Sequence, residues 1–329
     1  MLIFKRLSSF ILITVLVVLF GFRGGAALRE NQSRAESLPE NGRLVSTKSG
    51  EIYIIEVGPS DGLPLLFAHG TAAWGALWQP VLQEMADVEY RAIAFDMPPF
   101  GYSDRAADAD YSRARQAERL LELVNALDVQ PVLIAHSFGA GAAVEAAMVS
   151  PERFAGLVVV DGALGVGMES KELPLFLRNH IAREFATAVT ATNPMATKPL
   201  LRSLLHVKTA ATDDIVALLQ RPMRLKGSTK EFARWLPFLL NPSTSARSMA
   251  AENYAVLAPL RPQYIWGAED TITPLAQGTE LVNLTPGARL HVLPDTGHIP
   301  QIEAPEAFML ALKLALVEIE TELFQNGTQ

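Results

Sequence analysis

Ser137 stands where a strongly apolar run of residues ends and a run of small residues begins. Residues 132–141 read VLIAHSFGAG, which predicts a strand, a sharp turn at the serine and a helix behind it. A serine hydroxyl is a weak nucleophile at neutral pH, so it needs exposure, a neighbouring base and backbone N–H groups that can hold an oxyanion. The segment therefore predicts a nucleophile elbow centred on Ser137.

The residues around Ser137 depart in one place from the usual Gly-x-Ser-x-Gly pattern of such elbows. Ala135 replaces the first glycine, while Gly139 keeps the second position free of a side chain. One extra methyl group is often sterically tolerated in a tight turn. The pentapeptide alone also fits a helix N-terminus in a parallel sheet that happens to carry a serine, so the rest of the chain must decide.

The composition narrows the class of protein. The chain has 329 residues, of which 49% are apolar, and this length suffices for one large α/β domain with an insertion or for two ordinary domains. A formal net charge of -7 argues against nucleic acid as the main partner. Since the chain contains no cysteine, disulfides, thiolate chemistry and cysteine-based metal sites are excluded.

The first 27 residues predict a membrane-targeting segment. Lys5 and Arg6 precede the apolar run 10–22, whose length favours a signal anchor, with a cleaved signal peptide as the alternative. The positive flank predicts a membrane-anchored protein with its catalytic domain on the non-cytoplasmic side, or a secreted or periplasmic one after cleavage. Residues 28–46 are polar and aperiodic, and they predict a tether.

From residue 47 onward, apolar runs that predict strands alternate with helical patterns. Continuous apolar runs such as residues 132–135 are typical of strands buried on both faces of a parallel sheet. Helical spacing in residues 112–127 and the alanine-rich stretch 138–149 predict crossover helices. The predicted strands are residues 52–57, 64–68, 91–96, 132–135, 157–161, 263–266 and 289–293.

This alternation stops between residues 162 and 260, where helix-like stretches and turns occur without a convincing strand. The sequence therefore predicts one α/β domain with a mostly parallel sheet, built from residues 47–161 and 261–329. A helical insertion, residues 162–260, interrupts it. A final helix is expected within residues 306–324.

Four polar motifs each follow a predicted strand. They are His69-Gly-Thr71, Asp96-Met-Pro-Pro-Phe-Gly-Tyr-Ser-Asp104, Gly267-Ala-Glu-Asp270 and Asp295-Thr-Gly-His298. With the elbow at Ser137, their order resembles that of the α/β-hydrolase fold family over about residues 50–320. The resemblance implies a mostly parallel central sheet flanked by helices, with residues 162–260 as a helical cap.

The resemblance also implies a catalytic triad. Ser137 would be the nucleophile, His298 the base that takes and returns its proton, and Asp270 the carboxylate that orients the imidazole. Asp161 and Asp295 are rivals of Asp270 for the acidic position, because some family members carry their acid after the earlier strand.

The same family pattern assigns an oxyanion hole and a pocket. The backbone N–H groups of Thr71 and Phe138 would hold the developing oxyanion. The helical cap would close over the strand ends and form an apolar pocket for a small-molecule acyl substrate. Trp74 and Trp78 follow the oxyanion loop and are candidates for this pocket.

The remaining histidines give no sign of a metal centre. His180, His206 and His291 show no metal-ligand spacing with one another or with carboxylates. His69 and His136 are interpreted as supporting loops and packing. We therefore expect neither a metal nor a cofactor.

The implied activity is hydrolysis of a carboxylic ester or related carbonyl substrate through an acyl-enzyme. Serine at position 137 argues against relatives that need a carboxylate nucleophile, such as epoxide hydrolases and haloalkane dehalogenases. Hydrolases of carbon–carbon bonds, amides and lactones share the serine triad and remain alternatives. A catalytically silent ligand-binding protein is the alternative from another class.

Overall fold

An eight-stranded sheet forms the centre of the protein in the computed structural model, which describes residues 2–169, 172–242 and 245–327. Side chains are described from residue 13 onward within these ranges, apart from those of residues 15, 322 and 324–327. The strands are β1 (Arg43–Thr47), β2 (Gly50–Val57), β3 (Pro64–Ala68), β4 (Arg91–Phe95), β5 (Val132–His136), β6 (Gly156–Val160), β7 (Gln263–Gly267) and β8 (Arg289–Leu293).

The strands lie in the order β1-β2-β4-β3-β5-β6-β7-β8. The pairs β1–β2 and β2–β4 are antiparallel, and the five remaining pairs from β4 to β8 are parallel. Every residue of β5, β6 and β7 is buried, as expected for strands covered on both faces. The predicted mostly parallel sheet is thus confirmed, and each of the seven predicted strands is present.

Strand β1 was not predicted, because only Val45 of its five residues is buried and no apolar pattern marks it. It begins at Arg43, inside the segment 28–46 that the sequence predicts as a tether. Earlier in that segment Gln32 donates its N–H to the carbonyl of Arg224 and accepts the N–H of Lys226, at 3.1 and 3.0 Å. These backbone bonds fix the segment to the protein, so the described structure differs from a free tether.

Helices cover both faces of the sheet. Helices α4, α5 and α10 contribute to the apolar cluster on one face, and α3 and α12 to the cluster on the other. The helices are α1 (Leu2–Arg29), α2 (Arg34–Ser37), α3 (Gln79–Ala86), α4 (Arg113–Leu127), α5 (Phe138–Val149), α6 (His180–Val189), α7 (Pro194–Leu204), α8 (Asp213–Gln220), α9 (Ser228–Leu240), α10 (Leu275–Leu284), α11 (Pro300–Glu303) and α12 (Pro305–Gly327).

Between β6 and β7 the chain leaves the sheet for about a hundred residues and forms α6 to α9 with several short 3₁₀ helices. The insertion meets the core through aromatic rings. Phe100 packs edge-on against Phe232 and Trp235 of α9, with ring centroids 5.1 and 4.9 Å apart. The ring of Phe138, the first residue of α5, also packs edge-on against Trp235, with the ring centroids 5.4 Å apart. These contacts place the insertion over the start of α5.

The N-terminal helix α1 corrects the predicted membrane anchor. Over the part of the chain that the structure describes, no helix has both the length and the apolar character needed to cross a bilayer. The C-terminal part of α1, whose side chains are described, packs instead on α6. The rings of Phe20 and Phe185 meet edge-on with their centroids 5.0 Å apart, and Arg23 forms a 2.9 Å ion pair with Glu184. The predicted membrane-anchored location is therefore wrong, and the described residues give no support for a membrane segment. The alternative of a secreted or periplasmic protein stays a prediction.

We expect Phe100→Ala to destabilise the protein by about 3–5 kcal/mol, because the ring is 1% exposed and its loss leaves a cavity between core and insertion. Leu310→Ala on α12 is the control, since Leu310 is 63% exposed and its truncation should change stability by less than about 0.5 kcal/mol. Urea unfolding measures both. Equal effects of the two substitutions would contradict the packing described.

Candidate active site

Ser137 occupies a strained turn between β5 and α5. Its backbone has φ 51° and ψ −121°, a conformation that is costly for a residue with a side chain and that is held by the surrounding structure. Its N–H donates to the carbonyl of Val160 on β6 at 3.0 Å. This turn holds the serine at the carboxyl end of the sheet, as the sequence predicts for an elbow.

Two glycines make room for the elbow. A Cβ at Gly139 would lie 2.5 Å from the carbonyl oxygen of His69, and a Cβ at Gly70 would lie 2.8 Å from His136 Nδ1. Both distances are too short for a side chain without movement of the neighbours. Ala135, which replaces the usual first glycine, is fully buried in β5 and is accommodated there.

Three side chains from three strand ends meet at this edge of the sheet. Ser137 Oγ lies 2.8 Å from His298 Nε2, and His298 Nδ1 lies 2.8 Å from Asp270 Oδ2. Asp270 follows β7 and His298 follows β8, and since parallel strands end at the same edge, distant residues become neighbours. All three side chains are buried. The arrangement can move a proton from the hydroxyl to the imidazole and stabilise the resulting imidazolium.

Asp270 is held in its ionised form by a dense set of donors. Burial by itself would raise its pKa, but hydrogen bonds from His298 and Thr273 outweigh burial and hold the pKa below its usual value. Thr273 Oγ1 donates to Oδ2 at 2.6 Å, and the N–H groups of Ile272 and Thr273 donate to Oδ1 at 2.7 and 3.0 Å. Thr273 was missed from the sequence, although its position three residues after Asp270 is a signal for such a turn.

The two rivals for the acidic position do not bond to the imidazole. Asp161 accepts the N–H of Gly267 at 2.9 Å, and its pKa is raised well above the usual value by burial and by the charge of Asp270. Asp295 is exposed on the loop before His298. Among the three carboxylates, Asp270 therefore has the geometry of the orienting acid.

One group of side chains in the described part of the chain has the spacing of a metal site. Asp161, Asp270 and His298 each offer one ligand atom, and these atoms lie within 4.8 Å of one another. The Nδ1 atom of His298 already bonds the carboxylate of Asp270. This bond accounts for the proximity of His298 and Asp270, whereas Asp161 is buried beside them without a bond to the imidazole.

Thr71 and Phe138, the predicted oxyanion donors, both line the cavity beside Ser137. Phe138 is the first residue of α5, so its N–H belongs to the turn in which helical amides have no partner within the helix. His69 supports the neighbouring loop, since Met97 N–H donates to its Nε2 at 3.0 Å and its Nδ1 contacts the carbonyl of Gly70 at 2.8 Å. The catalytic use of these N–H groups remains a prediction.

His136 has a role that the sequence did not reveal. Its Nε2 lies 2.7 Å from the carbonyl oxygen of His298, and because a carbonyl only accepts, Nε2 must carry the proton. Burial, followed by the charge of His298, lowers the pKa of His136 to about 3. The ring therefore stays neutral and ties the nucleophile strand to the histidine loop, a contact between residues 162 positions apart that no local pattern predicts.

A cavity of about 360 Å³ opens beside the Ser137 hydroxyl. Its walls come from the core loops and from α7, α8 and their neighbours in the insertion. The lining residues are mostly apolar: Ala72, Ala73, Leu77, Phe138, Ala163, Ala191, Leu200, Leu201, Leu204, Leu219, Met223, Leu239, Ile272, Ile299 and Ile302, with Gly70, Thr71, His136, Ser137, Thr197, Ser203 and His298. The insertion thus supplies much of the surface that a bound molecule would contact.

Trp74 and Trp78, the sequence candidates for the pocket, lie in the core and do not line this cavity. Trp74 donates its indole N–H to the carbonyl of Leu218 at 2.9 Å. Trp78 packs between Phe67 and Phe308, with ring centroids 5.2 and 6.0 Å away. Their rings are used to pack the insertion and α12 onto the sheet, which leaves none of their surface for a ligand.

A family model for the alpha/beta hydrolase fold matches residues 64–305. This chain belongs to the α/β-hydrolase fold family. The resemblance given by the elbow and the four motifs is confirmed, and with it the assignment to a hydrolase family. The match spans both parts of the sheet domain and the helical insertion between them.

This α/β-hydrolase is also similar in sequence and in structure to individual hydrolases. A 2-hydroxymuconate semialdehyde hydrolase from Pseudomonas putida is 30% identical over 287 residues, which cover 86% of this chain and 96% of that protein. A meta-cleavage product hydrolase from Pseudomonas fluorescens superposes with a TM-score of 0.71 at 24% identity, over 85% of this chain and 98% of the other. A membrane phospholipase A described as a bacterial virulence factor superposes with a TM-score of 0.67 at 21% identity, over 97% of each chain. The two superpositions show the shared fold.

We expect Gly139→Ala to slow the reaction of Ser137 with a fluorophosphonate probe by about tenfold or more, because the new methyl group must push the His69 carbonyl away from the elbow. The same strain should cost about 1–3 kcal/mol of stability. Gly24→Ala is the control, since a Cβ there meets nothing within 4 Å. Unchanged probe labelling in the Gly139 variant would contradict the tight packing of the elbow.

Proposed function

We propose that this α/β-hydrolase cleaves a bond next to a carbonyl group, with Ser137, His298 and Asp270 as its catalytic triad. The proposal is carried by the continuous chain of contacts from hydroxyl to imidazole to carboxylate, 2.8 Å at each step. Ser137 attacks the carbonyl carbon while its proton passes to His298, and the leaving group then takes that proton. Water, deprotonated by His298, attacks the acyl-enzyme and releases the acid and free Ser137.

The negative charge that develops on the carbonyl oxygen needs donors near Ser137. The N–H groups of Thr71 and Phe138 are our candidates, supported by their position in the cavity wall and by the place of Phe138 at the start of α5. Loss of one such donor costs about 3 kcal/mol in the barrier. Because these donors are backbone groups, they are fixed by the fold before substrate binds.

Carbon–carbon bond hydrolysis is the reaction that the relatives favour. Two curated relatives at 30% identity are named 2-hydroxymuconate semialdehyde hydrolase, and others at 25% and 26% are named for hydroxy-oxo-diene acids. In the keto tautomer of such a vinylogous diketone, the leaving carbon departs with the electron pair of the broken bond, and conjugation with the remaining carbonyl group stabilises that pair as a dienolate. The proton held by His298 then completes the leaving group, and the acyl fragment stays on Ser137.

Ester hydrolysis is a second candidate, favoured by the chemistry of the cavity wall. Over the described residues the wall contains neither lysine nor arginine and neither asparagine nor glutamine. A substrate carboxylate buried there would lose its hydration without gaining a cationic or amide partner, which is costly. A neutral, apolar acyl group fits this wall better than an anionic one.

We infer that residues 162–260 act as the cap of the enzyme, on a core formed by residues 47–161 and 261–329. The cap assignment is supported by the apolar side chains of α7 and α8 in the cavity wall and by the aromatic contacts of α9 with the core. Such an insertion shapes the substrate site while the sheet carries the chemistry.

Three substrate classes distinguish the two reactions: a dienone carboxylate, its neutral methyl ester, and p-nitrophenyl esters of graded chain length. A carbon–carbon hydrolase releases a conjugated dienol product from the dienones, whereas an ester hydrolase acts only at the ester bonds. The apolar wall predicts a lower KM for the neutral dienone than for its carboxylate. Progress is followed by absorbance and by mass spectrometry of the products.

Ser137→Ala should lower kcat/KM by about 10⁴-fold or more for whichever class is cleaved, since the nucleophile acts as one unit with its base. Phe138 and Thr71 remain in place in this variant, so residual activity reports on the oxyanion donors alone. Retention of the wild-type rate by Ser137→Ala would refute the serine mechanism for both candidate reactions.

A further inference from the structure

Asp161 is a buried carboxyl group that the proposed triad does not use. It follows β6, has 0% exposure and adopts a positive φ of 42°. Its Oδ1 accepts the N–H of Gly267 at 2.9 Å, while its Oδ2 is buried without a hydrogen-bond partner of its own. Since a buried carboxyl oxygen left unsatisfied is costly, the position calls for an explanation.

The surroundings of Asp161 contain the other acidic members of the site. One oxygen of Asp161, one of Asp270 and one nitrogen of His298 lie within 4.8 Å of one another. Glu303 of α11 also acts on Asp161 through its charge, although its own oxygens accept the N–H groups of Gly297 and Ile299 at 3.1 and 3.0 Å. Asp161 therefore lies beside one imidazole and one carboxyl group, and a second carboxyl group, that of Glu303, acts on it through its charge.

Two carboxyl groups this close in a buried site share one negative charge, because ionisation of the first disfavours ionisation of the second. Asp270 accepts hydrogen bonds from His298, Ile272 and Thr273, whereas Asp161 accepts one from Gly267. The charge is better stabilised on Asp270, so the proton belongs to Asp161. The opposite directions of the two pKa shifts agree with this division.

We propose that Asp161 is a positioning residue of the triad: it holds a proton beside Asp270 and becomes the carboxylate partner of His298 when Asp270 is removed. The proposal rests on the proposed function of Ser137, His298 and Asp270. Burial is the main cause that raises the pKa of Asp161, and the charge of Asp270 raises it further. Removal of Asp270 takes away this second cause. Asp161 then ionises more easily, and its carboxylate already lies near the imidazole.

The test compares kcat/KM of Asp270→Ala with that of the double variant Asp161→Asn/Asp270→Ala on a substrate that the wild type cleaves. Removal of an orienting acid costs about 10⁴-fold when nothing replaces it. We expect Asp270→Ala to lose about 10²-fold only, and the double variant to lose at least tenfold more. Asp161→Asn alone completes the comparison: its loss of kcat/KM should be smaller than the further loss that the same substitution causes in the Asp270→Ala background, because Asp270 is still present as the partner of His298.

A pH profile separates this role from a purely structural one. The ratio of kcat/KM between Asp270→Ala and the double variant should rise with pH as Asp161 ionises, and then reach a plateau. A defect in packing would lower the rate by the same factor at every pH. A ratio that does not change with pH overturns the proposal.

Two controls keep the result decisive. Thermal unfolding reports whether each variant folds, and Asp161→Ser in the same Asp270→Ala background provides a second way to remove the carboxyl group. Equal rates for Asp270→Ala and both double variants show that Asp161 gives no support. Failure of the proposed serine mechanism has a different sign: Ser137→Ala would then keep its activity. That result does not depend on the comparison of the Asp161 variants.

Discussion

The convergence of parallel strand ends at one edge of the sheet is the constraint on which this site depends. Ser137 lies more than a hundred residues before Asp270 and His298 in the sequence, yet the three residues follow β5, β7 and β8 and meet with 2.8 Å between successive polar atoms. The elbow holds Ser137 in a strained conformation. His136, the residue before Ser137, donates its Nε2–H to the carbonyl oxygen of His298. The fold therefore brings nucleophile and base together before any substrate binds.

Hydrogen-bond donors determine which carboxyl group carries the charge beside His298. Asp270 lies in a turn that presents two backbone N–H groups and the Thr273 hydroxyl, whereas Asp161 has one backbone donor. Burial acts upward on both pKa values, but the donors hold that of Asp270 below its usual value, whereas burial and then the charge of Asp270 raise that of Asp161 well above its usual value. This difference is the basis of the proposal that Asp270 carries the charge and Asp161 the proton.

The sequence was sufficient for the features that depend on local pattern. Seven strands, the elbow and the order of the motifs could be predicted, because buried parallel strands and tight turns leave strong local signals. The edge strand β1 lacked such a signal, and the contacts of Trp74, Trp78 and His136 depend on chain segments far away in sequence. The membrane-anchored location was predicted from an apolar run and its positive flank, and such a local pattern gives no information on the contacts of Phe20 and Arg23 with Phe185 and Glu184 of α6.

A covalent intermediate on Ser137 gives the most direct test of the serine mechanism. The wild-type protein is mixed with a slowly deacylating substrate, quenched in acid within milliseconds to seconds, and digested for peptide mass spectrometry. We expect the peptide that contains Ser137 to gain the mass of the acyl fragment, in step with release of the leaving group. Release of the leaving group with no adduct at Ser137, at any time before the steady state, would contradict the proposed mechanism.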